Sequence, residues 1–299
     1  MHKIAVTYSQ EEYARELVQR YMLDAGMTKL RRRTSPGSLP SIPELSKRDT
    51  LGKMAATAPR HIGGLLYLSR GSRPEMLYAS GFLSRYLTKW HEWCDDVLHQ
   101  LFCYLDSNIE KGIENVFDCR DLVSGLKLEL YVDADHAGDP ESARSTSGAV
   151  LMMTGQNGTR AILGFMAHRQ GATAQSTGEA EIVAMNDGLR RCYLPISMCI
   201  EFIFASTAVQ IKNEMFSDAS AAFGAVKNGF GPMRYMRKTQ RVSMAWLADT
   251  LSNDSIKLLK IDTEIQLADV FTKHLQAPRI NELAKLICVI TIVARVRFG

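Results

Sequence analysis

The sequence predicts an α/β fold, a five-stranded mixed sheet flanked by helices, preceded by a mainly helical region. Three observations carry this. Leu128, Leu130 and Val132 alternate with Glu129, Tyr131 and Asp133, the period of a half-buried strand. Two further strand-like runs, Gly148 to Met153 and Ala161 to Met166, flank the turn sequence Gly155-Gln156-Asn157-Gly158, which signals a hairpin. Helical and strand patterns then alternate as far as His274, an α/β order.

The elements follow in turn. A helix is expected from Thr177 to Leu194, with Ile182, Met185, Leu189, Cys192 and Ile196 on one face. A fourth strand ends at Phe216-Ser217, and a short Ala-rich helix covers Ser220 to Val226. Another helix runs near Val242 to Leu251, a fifth strand over Ile256 to Ile261, and a final helix from Glu264 to His274. Upstream, Tyr13, Leu17, Tyr21 and Met22 recur at helical spacing between Glu11 and Met27. The basic run Lys29 to Arg33 leads into a Pro/Ser/Gly-rich stretch, Thr34 to Pro43, that reads as an exposed linker. A second helical block spans His61 to Asp106. The expected division is residues 1–118, mainly helical; 124–277, the α/β domain; and 278–299, a tail to which the pattern assigns no role.

Composition narrows the function classes only slightly. A chain of 299 residues with 46% hydrophobic and 23% charged residues is ordinary for a soluble protein of about two domains. A net charge of +4 is compatible with a polyanionic partner without identifying one. The six cysteines form no C-x-x-C pair and no zinc spacing, so reduced thiols in an intracellular protein are expected. No membrane partner is expected, since the one long apolar run, Leu286 to Val296, is shorter than the roughly 20 residues of a spanning helix.

Four carboxylates stand at element ends where a cation site could be built: Asp133, Glu181, Asp218 and Asp269. Carboxylates are natural ligands for hard cations such as Mg²⁺, and paired divalent ions can activate water, neutralise a phosphate and stabilise a leaving oxygen. Each acid alone also fits a bland role at a turn, a cap or a solvated face. Two glutamates compete on one helix. Ser176-Thr177-Gly178-Glu179 fits a capping box, which commits Glu179 to the helix start. At about 100° per residue, Glu181 points about 200° away, and the capping role leaves it free. A second capping box, Thr263-Glu264-Ile265-Gln266, is expected to open the final helix and to set Asp269 one turn in.

These residues also carry a resemblance. The stretch Tyr131-Val132-Asp133-Ala134-Asp135-His136-Ala137-Gly138-Asp139, with Arg144-Ser145-Thr146-Ser147-Gly148 after it, resembles the start of the ribonuclease H domain in copia-type retrotransposon polyproteins. Ser176 to Glu181, Phe216 to Ala221 and Gln266 to Lys273 resemble that family's helix start, fourth-strand end and last helix. Tyr13 to Met27 is similar to the end of its reverse transcriptase. Gly63 to Leu68, Arg73-Pro74-Glu75-Met76 and Leu83 to Tyr86 are similar to its connection region. The polymerase's paired aspartates are expected upstream of residue 1; Asp95-Asp96, inside the second helical block, is a decoy.

The resemblance implies a ribonuclease H-like fold and a metal-dependent endonuclease acting on the RNA strand of RNA/DNA hybrids. Asp133 would bridge two Mg²⁺ ions, with Mn²⁺ as a substitute, and Glu181, Asp218 and Asp269 would complete the shells. The hybrid is the implied partner, together with the polymerase part of the parent polyprotein. Arg144, His168, Arg169 and Lys227 are candidate phosphate contacts, although a solvated charge is the competing reading of each. Two departures support an alternative, an inactive remnant that only binds nucleic acid. Thr239-Gln240-Arg241-Val242 stands where the family has Thr-Lys-His-Ile, and His136 stands where it has an aromatic residue.

Overall fold

The computed structural model describes residues 2–37, 50–139, 141–228 and 232–292. Along the chain the elements are β1 (Lys3–Tyr8), α1 (Glu11–Ala25), α2 (Ala58–Gly71), α3 (Leu77–Ser84), α4 (Glu92–Ser107), β2 (Lys111–Asp118) and α5 (Asp121–Ser124). Next come β3 (Leu126–Asp135), β4 (Thr146–Gly155), β5 (Arg160–Arg169), α6 (Thr177–Gly188), α7 (Leu194–Phe204), β6 (Ile211–Ser217) and α8 (Ser220–Asn228). The last are α9 (Met236–Thr239), α10 (Met244–Asn253), β7 (Lys257–Lys260), α11 (Ala277–Leu286) and β8 (Val289–Thr291). The chain divides into two compact units, one of residues 1–5 and 115–273, the other of residues 6–114 and 274–299.

The first unit holds the mixed sheet. Its strand order is β5-β4-β3-β6-β7, with β3, β4 and β5 antiparallel and β6 and β7 parallel to β3. Val116 of β2 extends the sheet by pairing with Arg160. Leu126, Leu128, Leu130 and Val132 are buried from alternate positions of β3, as the period-two pattern requires. The β4–β5 hairpin is pinned at its turn by Asp121, whose carboxylate accepts bonds from the backbone N–H groups of Asn157 (2.8 Å) and Thr159 (2.9 Å). Helix α6 lies on β3 and β4, and its last residue, Gly188, explains how closely. A Cβ there would sit 2.7 Å from Val132 Cγ1 and 3.3 Å from Ala149 Cβ.

The second unit is mainly helical. Buried Leu17 and Tyr21 of α1 share a core with Ile62, Leu65 and Leu68 of α2 and with Leu98, Leu101 and Phe102 of α4. Helix α1 ends at Gly26, whose positive φ of 64° is the left-handed stop that glycine adopts cheaply. The decoy Asp95 is absorbed structurally. It accepts bonds from Trp90 Nε1 and from the backbone N–H groups of Lys53 and Met54. In the C-terminal stretch, β8 pairs with Lys111, Gly112 and Ile113 of β2. Residues 38–43 of the expected linker lie outside the described residues.

Two expected helices differ. The helix from Thr177 does not run unbroken to Leu194: α6 ends at Gly188, a π-helical turn spans Leu189–Tyr193, and α7 follows. The final helix, Glu264 to His274, is replaced by two 3₁₀ turns, Thr263–Ile265 and Leu267–Phe271. The second capping box does not form, because Gln266 is recruited elsewhere. Fully buried, it donates from Nε2 to Val132 O (3.0 Å) and accepts at Oε1 from Ala268 N (3.3 Å). A tertiary bond to β3 thus overrides the local helix signal.

Candidate active site

Asp133 stands near the end of β3, opposite Gly148 of β4. Glycine at 148 has a local consequence. A Cβ there would lie 2.6 Å from Thr272 Cγ2 and 3.0 Å from both Ala268 O and Phe271 Cβ. Its absence lets the 3₁₀ segment lie directly on the sheet, and Thr272 Oγ1 then donates to Asp133 Oδ2. Gln266 and Gly148 together deliver Asp269 and Lys273 to this end of β3.

Helix α6 contributes Glu181. Ser176 caps the helix by accepting from Glu179 N (3.3 Å), while Glu179 Oε2 accepts from Gln175 N (3.0 Å) and Glu179 Oε1 from the Tyr235 hydroxyl. Glu179 is thereby spent on the helix start and on the segment around Tyr235. Glu181 Oε1 accepts from Ala134 N (3.4 Å), and its Oε2 is buried with no hydrogen-bond partner among the described residues. Asp218 follows β6 and accepts from Thr263 Oγ1 (3.1 Å).

Asp133, Glu181 and Asp218 each place a carboxylate oxygen within 4.8 Å of the others. Asp269 is not part of this trio. It is linked to the trio through Lys273, whose Nζ is 2.5 Å from Asp269 Oδ1 and 3.4 Å from Asp133 Oδ1.

The electrostatics are those of crowded, dehydrated acids. Burial pushes Asp133 up to about 6; Lys273 and the Thr272 bond act against this, and Asp269 and Asp218 reinforce it. Burial also lifts Glu181, to about 9, with Asp133 and then Asp218 adding repulsion. Burial alone would lower Lys273, but Asp133 and Asp269 outweigh it and hold the ammonium above its ordinary value. The donor set suits a hard divalent cation. All three acids of the trio offer oxygen, and Glu181 Oε2 is a buried acceptor in need of a partner.

The candidate phosphate contacts are scattered. Arg169 forms an ion pair with Asp139 (3.0 Å), and Arg191 Nη2 approaches His168 Nε2 at 3.4 Å. Arg144 is half-buried, its carbonyl accepting from Asp139 N (3.1 Å). Lys227 lies on α8, its side chain outside the described residues. A denser group of cations was missed in the sequence: Arg234, Arg237, Lys238 and Arg241 are all exposed around α9. This segment is tied beside α6 by Tyr235 to Glu179 and by Gln240 Nε2 to Thr173 O (2.9 Å). Four cations within eight residues, with Tyr235 among them, was the available signal.

No family model matches the chain. Over 277 residues it is 24% identical to the Retrovirus-related Pol polyprotein from transposon TNT 1-94 of Nicotiana tabacum, a match covering 89% of this chain. The chain is related to retrotransposon Pol polyproteins. It spans 19% of the length of that polyprotein. It is also 30% identical over 131 residues to Secreted RxLR effector protein 161 of Plasmopara viticola, covering 42% of this chain and 82% of that protein, and over this stretch the two belong to one family. Among solved structures, LC11-RNase H1 isolated from compost aligns with 52% of this chain and 96% of its own, at 15% identity and a TM-score of 0.34. The fold is ribonuclease H-like, and the strand order of the first unit is the mixed one expected from the sequence. Among the described residues no helix is long and apolar enough to cross a membrane.

Proposed function

We propose that the chain is a metal-dependent endonuclease, a copia-like polyprotein fragment that hydrolyses the RNA strand of RNA/DNA hybrids. The observation that carries this reading is the convergence of Asp133, Glu181 and Asp218 to within 4.8 Å of one another, with Glu181 Oε2 buried there and without a hydrogen-bond partner among the described residues. These three would hold a divalent cation, and Asp269 together with Asp133 would hold a second. Mg²⁺ bound there, or Mn²⁺ in its place, supplies water activation and charge neutralisation at the scissile phosphate.

The chain's own residues do the rest. Thr272 fixes the orientation of Asp133 through its hydroxyl. Glu179 and Tyr235 anchor the cationic segment around α9 beside α6, where it would hold the phosphate backbone of the duplex. Preference for RNA would rest on contacts to 2′-hydroxyls.

The test is cleavage of a labelled RNA/DNA hybrid by the full chain, with Mg²⁺ or Mn²⁺ and with EDTA, beside DNA/DNA and RNA/RNA duplexes. Metal-dependent cleavage confined to the hybrid's RNA strand is expected. The Asp133→Asn variant should lose about a thousandfold or more of that activity while keeping its fold. Hybrid binding without cleavage at any concentration of either metal would establish the alternative, an inactive remnant that retains the fold.

A further inference from the structure

Lys273 is the feature of the site that metal ligation alone does not account for. It is a cation inside a cluster of acids, reached through a specific local structure. The 3₁₀ segment Leu267–Phe271 ends at Thr272, and Lys273 N closes a backbone bond to Asp269 O (3.0 Å). This turn returns the side chain over Asp269, and Nζ lies 2.5 Å from Asp269 Oδ1 and 3.4 Å from Asp133 Oδ1. The two acids bridged by Lys273 are the pair that would share a second metal ion. The trio that would take a first ion shares Asp133 with this bridge, but its other two acids, Glu181 and Asp218, form no ion pair among the described residues.

We infer that Lys273 is a built-in counter-ion that occupies the second cation position, so that the resting protein takes up one divalent ion at the trio. Uptake of the second requires displacement of the ammonium from between Asp133 and Asp269. The inference rests on the metal-dependent reading above and goes beyond it by assigning unequal affinities to the two positions. The displacement is physically easy, because the Lys273 side chain is 37% exposed and its stem can swing into solvent without opening the core. It also leaves the ammonium free to meet a phosphate oxygen once substrate and second ion are in place.

The experiment is Mn²⁺ binding to the 299-residue chain without nucleic acid, by calorimetry for stoichiometry and by electron paramagnetic resonance for Mn–Mn coupling. The wild-type chain should bind one equivalent tightly and show the spectrum of an isolated ion. Lys273→Met should bind a second equivalent, its Kd lower by on the order of tenfold or more, the screened end of charge–charge interaction at this separation. Spin coupling between two close ions should appear with it. Lys273→Arg keeps the charge and should behave as wild type. Equal stoichiometry and affinity in wild type and Lys273→Met would overturn the role of Lys273 while leaving the metal-dependent reading intact. Absence of Mn²⁺ binding in all three would overturn that reading, and this inference with it.

Discussion

Glutamine in place of Glu181 tests the electrostatic account of the site most directly. In the metal-free protein the Glu181 carboxyl titrates at about 9, against an ordinary value of 4.5. The unfolded chain therefore gives up its proton from pH 4.5 upward while the folded chain keeps it. Stability is lost as pH rises through that interval, and the loss levels off above about 9. Each pH unit inside the window costs about 1.4 kcal/mol, which makes roughly 4 kcal/mol a ceiling between pH 5 and pH 8. Water penetration and relaxation around a buried acid bring the expectation down to about 2–4 kcal/mol. Glu181→Gln mimics the protonated acid in shape and charge and removes this dependence. In EDTA, hydrogen exchange of the β3 amides, which reports opening of the sheet unit itself, should show the variant gaining that margin over wild type at pH 8 and little at pH 5. Added Mg²⁺ should reverse the order by stabilising wild type and not the variant. If the two proteins keep the same stability difference at both pH values, Glu181 is not held protonated by its surroundings and the account of the site is wrong.

Gly148→Ala alters no acid yet should damage the site. The new Cβ meets Thr272 and the Ala268 carbonyl, which cannot yield as a flexible side chain would. Overpacking of about 1–3 kcal/mol should appear in thermal melting, with a raised Mg²⁺ requirement for cleavage. Arg237→Ala and Lys238→Ala should each weaken hybrid binding irrespective of sequence. Each should also lower the slope of log Kd against log salt by about one, read from titrations at several salt concentrations. An unchanged slope would remove the α9 segment from the nucleic-acid surface.

The sheet was legible because its signals are local. The alternation in β3 and the Gly155-Gln156-Asn157-Gly158 turn act through nearest neighbours, and the structure uses both as they stand. The different placement of Glu179 and Glu181 follows from an equally local signal. A capping bond from Glu179 N to Ser176 Oγ is decided within three residues, and it leaves Glu181 to face Asp133. The strands β1, β2 and β8 were missed because their partners are remote in sequence. Lys111 pairs with Thr291, a separation that no periodicity within either segment can register.

The stretch after Thr263 was misread through the same contrast between local and tertiary forces. Thr263 to Gln266 has the composition of a capping box, and Asp269 with Lys273 has the i,i+4 spacing of an ordinary helical ion pair. On a regular exposed helix that pair would be a minor surface contact. Gln266 instead spends its side chain on Val132 O, and Gly148 clears the space into which the 3₁₀ turn settles. Both partners of the pair are thereby brought onto Asp133. Lys273 meets two carboxylates where the sequence offers it one, and a surface pair becomes a bridge inside the acidic cluster. The residues that make this happen, Gln266 and Gly148, carry no charge and ligate nothing. Their role appears only when β3, β4 and the final turn are considered together.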